Sequence, residues 1–200
     1  EPVPSATQQT PADLPRCSSR QESPSRMPVP DVQWLHRDTG KCLWTFSFCS
    51  NAHSFGLPLT AYNVPVIIMH NSNDTNYGDI IEDMKAFFFC AIDKALKEGI
   101  TPQQIWLDPG IGFGKTEEQN IEVMQRLGEL TAHEYPVLLA PSRKRFIGSM
   151  LGGLPPEERD EGTVAACITG VFQGIDMVRV HNVKMHKRAL AVADGLLRGE

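Results

Sequence analysis

Four short apolar runs, each ending in polar or charged residues and each followed by a helical period, constrain this chain more than any other feature. They occupy residues 64–70 (VPVIIMH), 104–108 (QIWLD), 135–140 (YPVLLA) and 176–181 (DMVRVH). Apolar, β-branched runs of this length are the mark of buried parallel strands. After the first, Ile80, Ile81, Met84, Phe87, Phe88, Ala91, Ile92 and Ala95 recur at three and four residues. That period predicts a helix over 79–98, with Gly99 as its left-handed stop. Further helices are predicted over 117–130, 145–150, 159–172 and 184–197. Strands alternating with helices mean parallel βαβ units, an α/β fold. Four units in about 135 residues amount to half of an eight-unit barrel, which typically needs about 250.

The first 62 residues are of another kind. Seven prolines fall within the first thirty, among Ser, Gln and Arg. Such a stretch buries too little apolar surface to offset its conformational entropy, so an irregular or disordered segment is expected. One short strand is plausible over 42–49; no catalytic spacing occurs there. The two expected domains are therefore 1–62, irregular, and 63–200, a partial barrel.

Composition excludes several function classes. A formal net charge of −5 gives no overall attraction to nucleic acid or anionic membrane, so any anion site must be local. No apolar run reaches the roughly 18 residues of a spanning helix. No basic stretch leads into an apolar one at the N-terminus, so no secretory signal is expected and the location is read as cytoplasmic. The five cysteines, Cys17, Cys42, Cys49, Cys90 and Cys167, form no C-x-x-C pair. Reduced thiols are expected, with Cys90 and Cys167 inside helices, rather than zinc or disulfides.

The chemistry gathers at the C-terminal ends of the strands: His70 with Asn71, then Asp108, then Ser142 to Lys144, then Arg179 and His181. In a β/α barrel that end is the ligand face. Asp108 opens DPGIGFGKT, which on its own is also a Gly-rich turn with a capping aspartate. A phosphate-loop reading fails, because the first glycine of G-x-x-x-x-G-K-T would fall on Pro109. The dinucleotide fingerprint fails on spacing. SRKRFIG sets Arg143, Lys144 and Arg145 in a row just past a strand. A solvated basic turn is the bland alternative, yet its neighbours are apolar. In VRVH, Arg179 and His181 share one face of the strand, and Val178 and Val180 point the other way. An arginine inside a barrel needs a partner, either an internal carboxylate or a ligand anion. With Lys144, Arg179 and His181 would form a phosphate-sized anion site.

PVIIMHN, IWLDPGIGFGKT, PVLLAPSRKRFIG, ERDEGT and VRVHNV, in this order and spacing, closely resemble the C-terminal half of dihydropteroate synthase. The match runs over about 64–197. The resemblance implies a pterin-binding TIM (β/α)8 barrel. It implies an enzyme, a transferase that joins a dihydropterin pyrophosphate to para-aminobenzoate in folate synthesis. It implies Mg2+ as cofactor, a homodimer, and no nucleic-acid or membrane partner. By motif, Asp108 would bond the pterin's amino-pyrimidine edge. Lys144 would touch the pterin and border the aminobenzoate pocket, walled by Phe113. Arg179 and His181 would take the departing pyrophosphate, with Lys144 counted as catalytic beside them and Ser142 and Arg143 as further substrate contacts. No metal ligand is assigned.

The chain also departs from the family. The N-x-T-P-D-S-F loop that helps hold magnesium and the I-N-D strand have no counterpart in the first 60 residues. Asn182 replaces the usual aspartate, and Ala140 a common glycine. The abrupt change near Tyr62 is what a shifted reading frame or a misjoined gene start would leave. A half barrel would present two open strand edges. The alternatives to an active synthase are a non-functional fragment or a pterin-binding module without synthase activity. The latter would resemble the methyltetrahydrofolate-binding barrels of corrinoid methyltransferases, where no pyrophosphate needs the SRKRFIG and RVH cations.

Overall fold

The structure, a computed structural model, describes residues 34–36, 46–49, 65–72, 74–132 and 134–198. The expected irregularity of the N-terminal segment falls almost wholly outside the described residues. Strands β1 (Trp34–His36) and β2 (Phe46–Cys49) lie within it. They are followed by β3 (Val66–Met69), α1 (Ile80–Lys97), β4 (Ile105–Asp108), α2 (Glu117–Gln125), α3 (Gly128–Thr131) and β5 (Leu138–Leu139). The chain continues with α4 (Arg145–Met150), α5 (Asp160–Phe172), β6 (Met177–Arg179) and α6 (Val183–Arg198).

Strands β3 to β6 are the four expected βα units, side by side in chain order. β3 pairs parallel with β4, Val66 opposite Ile105 and Met69 opposite Asp108. A single parallel bridge, Leu107 to Val137, carries the sheet across to the third unit. β5 pairs parallel with β6, Leu138 opposite Met177. The two open edges expected of a half barrel are both occupied. β2, inside the strand predicted over 42–49, pairs parallel with β3, and β1 lies antiparallel on β6. An antiparallel β1 departs from an all-parallel barrel. Its short span carries no alternation that would announce it, and the free N–H and C=O row of β6 accepts a strand in either sense.

Helix α1 forms for local reasons. Asp79 caps it, accepting from the N–H groups of Ile81 at 2.9 Å and Glu82 at 3.2 Å. Ile80, Ile81, Met84, Phe88 and Ala95 face the core. Burying each large side chain contributes roughly 1.5–3 kcal/mol. Gly99 ends the helix at φ 88°, and Ile100 N–H reaches back to the Ala95 carbonyl at 3.1 Å.

The helix expected over 117–130 is broken. Gln173, at the end of α5, puts its side-chain amide where the helical bond from Gly128 to Met124 would run. Its Oε1 accepts from Gly128 N–H at 2.9 Å and its Nε2 donates to the Met124 carbonyl at 2.7 Å. A partner 45 residues away thus satisfies both groups and separates α2 from α3. Cys90 in α1 and Cys167, buried in α5, are free thiols. Among the described residues no helix is long and apolar enough to cross a membrane.

Candidate functional site

Three turns, following β4, β5 and β6, converge at the C-terminal end of the sheet. Asp108 ends β4, 3% exposed, and its Oδ1 accepts from Gly110 N–H at 2.7 Å. Gly110 (φ 65°) lies so near β3 that a Cβ there would run into the His70 carbonyl oxygen. Gly112 (φ 80°) passes under the Lys144 stem, whose Cδ would lie 2.7 Å from a Cβ there. Only glycine meets both the backbone angle and the close approach. Phe113 N–H closes the turn on the Gly110 carbonyl at 3.0 Å. Thr116, in the stretch that mimics a phosphate loop, caps α2 instead, its Oγ1 accepting from Gln119 N–H at 3.2 Å.

After β5, Lys144 N–H bonds the Pro141 carbonyl at 3.1 Å, which makes 141–144 a tight turn with Arg143 at φ 58°. The turn separates its two cations. Lys144 swings over the Phe113 ring, Nζ 3.8 Å from its centroid. Arg143, expected among the substrate-binding cations, is turned away. Its Nε and Nη2 hold Asp160 Oδ1 and Oδ2 at 2.8 and 3.0 Å, a bidentate pair that commits the guanidinium. Arg143 is thus brought to the first residue of α5 and not to the cleft lining.

After β6, His181 meets Ser142. Ser142 Oγ accepts from His181 N–H at 3.1 Å and lies 2.7 Å from His181 Nδ1. Between the three turns is a cleft of about 480 Å³, counted to its open mouth, lined by Phe113, Ala140, Ser142, Lys144, Arg179, Val180 and His181. The space that water-sized spheres can occupy within it is about 170 Å³, below the roughly 300–1,000 Å³ of complete ligand pockets. Five of the residues expected at the site, Phe113, Ser142, Lys144, Arg179 and His181, share it. Val180, expected on the opposite face, lines it too, because β6 ends at Arg179 and strict alternation ends with it. Asp108 lies behind the lining and is not part of it.

Electrostatics ties Asp108 to the cleft. Burial pushes its carboxyl up to about 6, while the Gly110 N–H, Lys115, Lys144 and Arg179 pull the other way. Burial lowers Lys144 and Arg179 from their ordinary values, and the charge of Asp108 opposes both shifts. His181 is lowered by burial and by Arg143 and Arg179. The internal carboxylate partner that Arg179 requires is thus at least in part Asp108. Among the described residues Lys115, Lys144 and Arg179 all act on this one carboxylate.

The residues that hold these groups are ones sequence reasoning passed over. Lys115 was set aside with the failed phosphate loop. Asp160, Arg159 and Thr163 belong to ERDEGT, a string with no period and no assigned chemistry. Arg159 Nη1 donates to the Arg143 carbonyl at 3.0 Å, and Thr163 Oγ1 accepts from Arg143 N–H at 3.0 Å. Asn182, where the family usually has aspartate, donates from Nδ2 to Asp160 Oδ2 at 3.0 Å and accepts from Met185 N–H at 3.2 Å. An aspartate could not donate there, so the amide suits the clamp. Among the described residues no three His, Cys, Asp or Glu side chains converge as a metal site requires. The magnesium implied by the resemblance finds no fitting donor set there.

Residues 56–181 match the model of the pterin binding enzyme family, more than half of the chain. The chain is 46% identical to the dihydropteroate synthase of Bacillus subtilis over 68% of its own length and 47% of the relative's. Its fold superposes on dihydropteroate synthase from Clostridium difficile, solved in the presence of pteroic acid. There the TM-score is 0.68 at 45% identity, covering 70% of this chain and 53% of the other. The Thermus thermophilus dihydropteroate synthase in complex with 6HMPPP gives 0.65 at 39% identity, covering 68% and 55%. The chain spans about half the length of the curated relatives it matches.

Proposed function

The chain belongs to the pterin binding enzyme family, and from that premise we propose that it carries the C-terminal half of a dihydropteroate synthase site. The substrates would be 6-hydroxymethyl-7,8-dihydropterin pyrophosphate and para-aminobenzoate, the products 7,8-dihydropteroate and pyrophosphate, in folate synthesis. The observation that carries this reading is the convergence of Lys144, Arg179, Ser142 and His181 on one cleft beside buried Asp108. Relatives solved with 6HMPPP and with pteroic acid support it.

Each residue has a role its chemistry fits. Asp108, ionised at neutral pH, accepts the paired N–H donors of the pterin's amino-pyrimidine edge. As the C–O bond to pyrophosphate breaks, both electrons leave with oxygen. Charge grows where Arg179, Lys144 and His181 stand; the two cations stabilise it without reorganisation, and His181, lowered below its ordinary value, serves as a neutral imidazole. The arene amine then forms the C–N bond with its lone pair and releases a proton. Phe113, under Lys144, walls the space beside the reacting carbon. A homodimer in the cytoplasm belongs to the same proposal.

A second reading is a pterin-binding module without synthase activity, which would need the pterin pocket but no pyrophosphate site. Calorimetry on the full chain separates the two. Pyrophosphate binding supports the synthase site, and pterin binding without it supports the module. In the first case Arg179→Ala weakens pyrophosphate roughly 10- to 100-fold. Binding equal to that of the wild type in that variant removes Arg179 from the anion site.

A further inference from the structure

Asp108 and Lys115 are the buried carboxylate and the buried lysine of the described residues, 3% and 9% exposed. The chemistry proposed above gives work to the first and none to the second. An ammonium taken out of water costs several kcal/mol unless its donors are met. Here all three are met. Lys115 Nζ lies 3.0 Å from His70 Nδ1 and donates to the Gly110 and Phe113 carbonyls, each at 3.1 Å. Three donations need the ammonium, since a neutral amine has two N–H groups and could complete the set only by accepting from a His70 Nδ1–H; burial lowers Lys115 to about 8, which leaves it charged at neutral pH. His70 Nδ1 must accept, which leaves its proton on Nε2 and the ring neutral. Burial, and then the ammonium beside it, depress His70 to about 3.

Gly110 and Phe113 are the two ends of the turn that presents the cleft wall. The same turn supplies the Gly110 N–H to Asp108 and the Phe113 ring to Lys144. The ammonium therefore stands between the end of β3 and both features of the site. Asp108 is also faced by Lys144 from the turn after β5 and by Arg179 from β6, while His70, just past β3, is neutral.

We infer that Lys115 is a positioning residue of the pterin site: it staples the 110–113 turn to the end of β3 and supplies positive charge to the Asp108 carboxylate. The inference rests on Asp108 as the partner of the pterin. Removing the charge would leave Asp108 with a higher midpoint, since the remaining cations no longer offset its burial as fully. A protonated carboxyl cannot accept two donors, so pterin binding would fail at a higher pH than before. A purely structural lysine would weaken binding equally at every pH below its own midpoint, about 8.

The test uses the full chain with Lys115→Gln, which keeps N–H donors without charge, and Lys115→Arg, which keeps charge. Carbon NMR of the Asp108 carboxyl reads the midpoint without any ligand. Lys115→Gln raises it by about one pH unit, and Lys115→Arg leaves it near the wild-type value. The affinity for pteroic acid falls more at pH 5.5 than at pH 7 in Lys115→Gln, the wild-type lysine, with its midpoint at about 8, being charged at both. An unchanged midpoint in folded Lys115→Gln, with equal affinity loss at both pH values, overturns the inference. If the wild type fails to bind pteroic acid, the pterin reading falls, while the carboxyl titration still decides what Lys115 does to Asp108. One measurement needs no variant: nitrogen NMR of wild-type His70 should show the proton on Nε2, and a proton on Nδ1 removes the staple.

Discussion

The 110–114 turn hangs from buried groups, whereas the 141–144 turn is strapped down from its half-exposed side. Lys115, His70 and the Asp108 carboxylate hold the first in surroundings where an unmatched polar group costs its full desolvation. Asp160, Arg159 and Asn182 hold the second through groups that partly meet water, with the buried Thr163 beside them. Both present a residue to the same cleft, Phe113 on one side and Lys144 on the other. Placing a side chain therefore does not require burying its supports. The buried device couples geometry to charge; the half-exposed clamp sets geometry and is open to screening.

Breaking the inner turn should cost most. Gly110→Ala combines a left-handed backbone angle with a backbone collision at the His70 carbonyl. A loss of about 3 kcal/mol or more is expected in urea unfolding. A loss under about 1 kcal/mol would mean the turn is not fastened to β3 as described.

The acid profile of stability sharpens the contrast. His70 is depressed, so its contribution is present above its ordinary 6.5 and is lost as pH falls toward 3. Asp108 is raised, so its contribution is present below 3.8 and is lost as pH rises through 6. The displacement of His70 is the wider. The ligand-free chain should lose on the order of 2 kcal/mol between pH 6.5 and 3 from this pair. His70→Asn keeps an acceptor for Lys115 and removes the larger titration, so Asp108 alone remains and the urea midpoint should rise, not fall, as pH drops from 6.5 toward 3.8. An unaltered slope would clear His70 of that role.

The outer clamp should give the smallest effect. Asp160→Ala leaves Arg143 to solvent and should cost about 1 kcal/mol, shrinking in molar salt. A cost as large as that of Gly110→Ala, and indifferent to salt, would erase the difference between the two turns.

Much of this was legible beforehand for reasons that are local. Helix α1 begins at Asp79 and stops at Gly99 because capping and left-handed residues act within a turn of the chain. Runs such as VPVIIMH and QIWLD are strands because their apolar period is short-range. Thr116 and Gln119 form a capping box, an equally local signal that sequence reasoning passed over. What stayed hidden depends on distant partners. Nothing near Gly128 says that Gln173 will take its N–H, and nothing in SRK says which cation will meet Asp160.

The sequence by itself determined the alternation of strands and helices, the polar residues at the strand ends, and so the side of the sheet on which Asp108, Lys144, Arg179 and His181 would gather. Periodicity and capping are properties of neighbouring residues, and neighbours are visible in a string. Only the tertiary structure decided that Lys144 lines the cleft while Arg143 is committed to Asp160. It alone decided that Lys115 is buried under the turn, that Asp108 stands behind the lining, and that β1 runs antiparallel along β6. Each of those outcomes turns on the charge, the free hydrogen-bonding groups or the space offered by a segment far along the chain, and these exist only once the chain has packed.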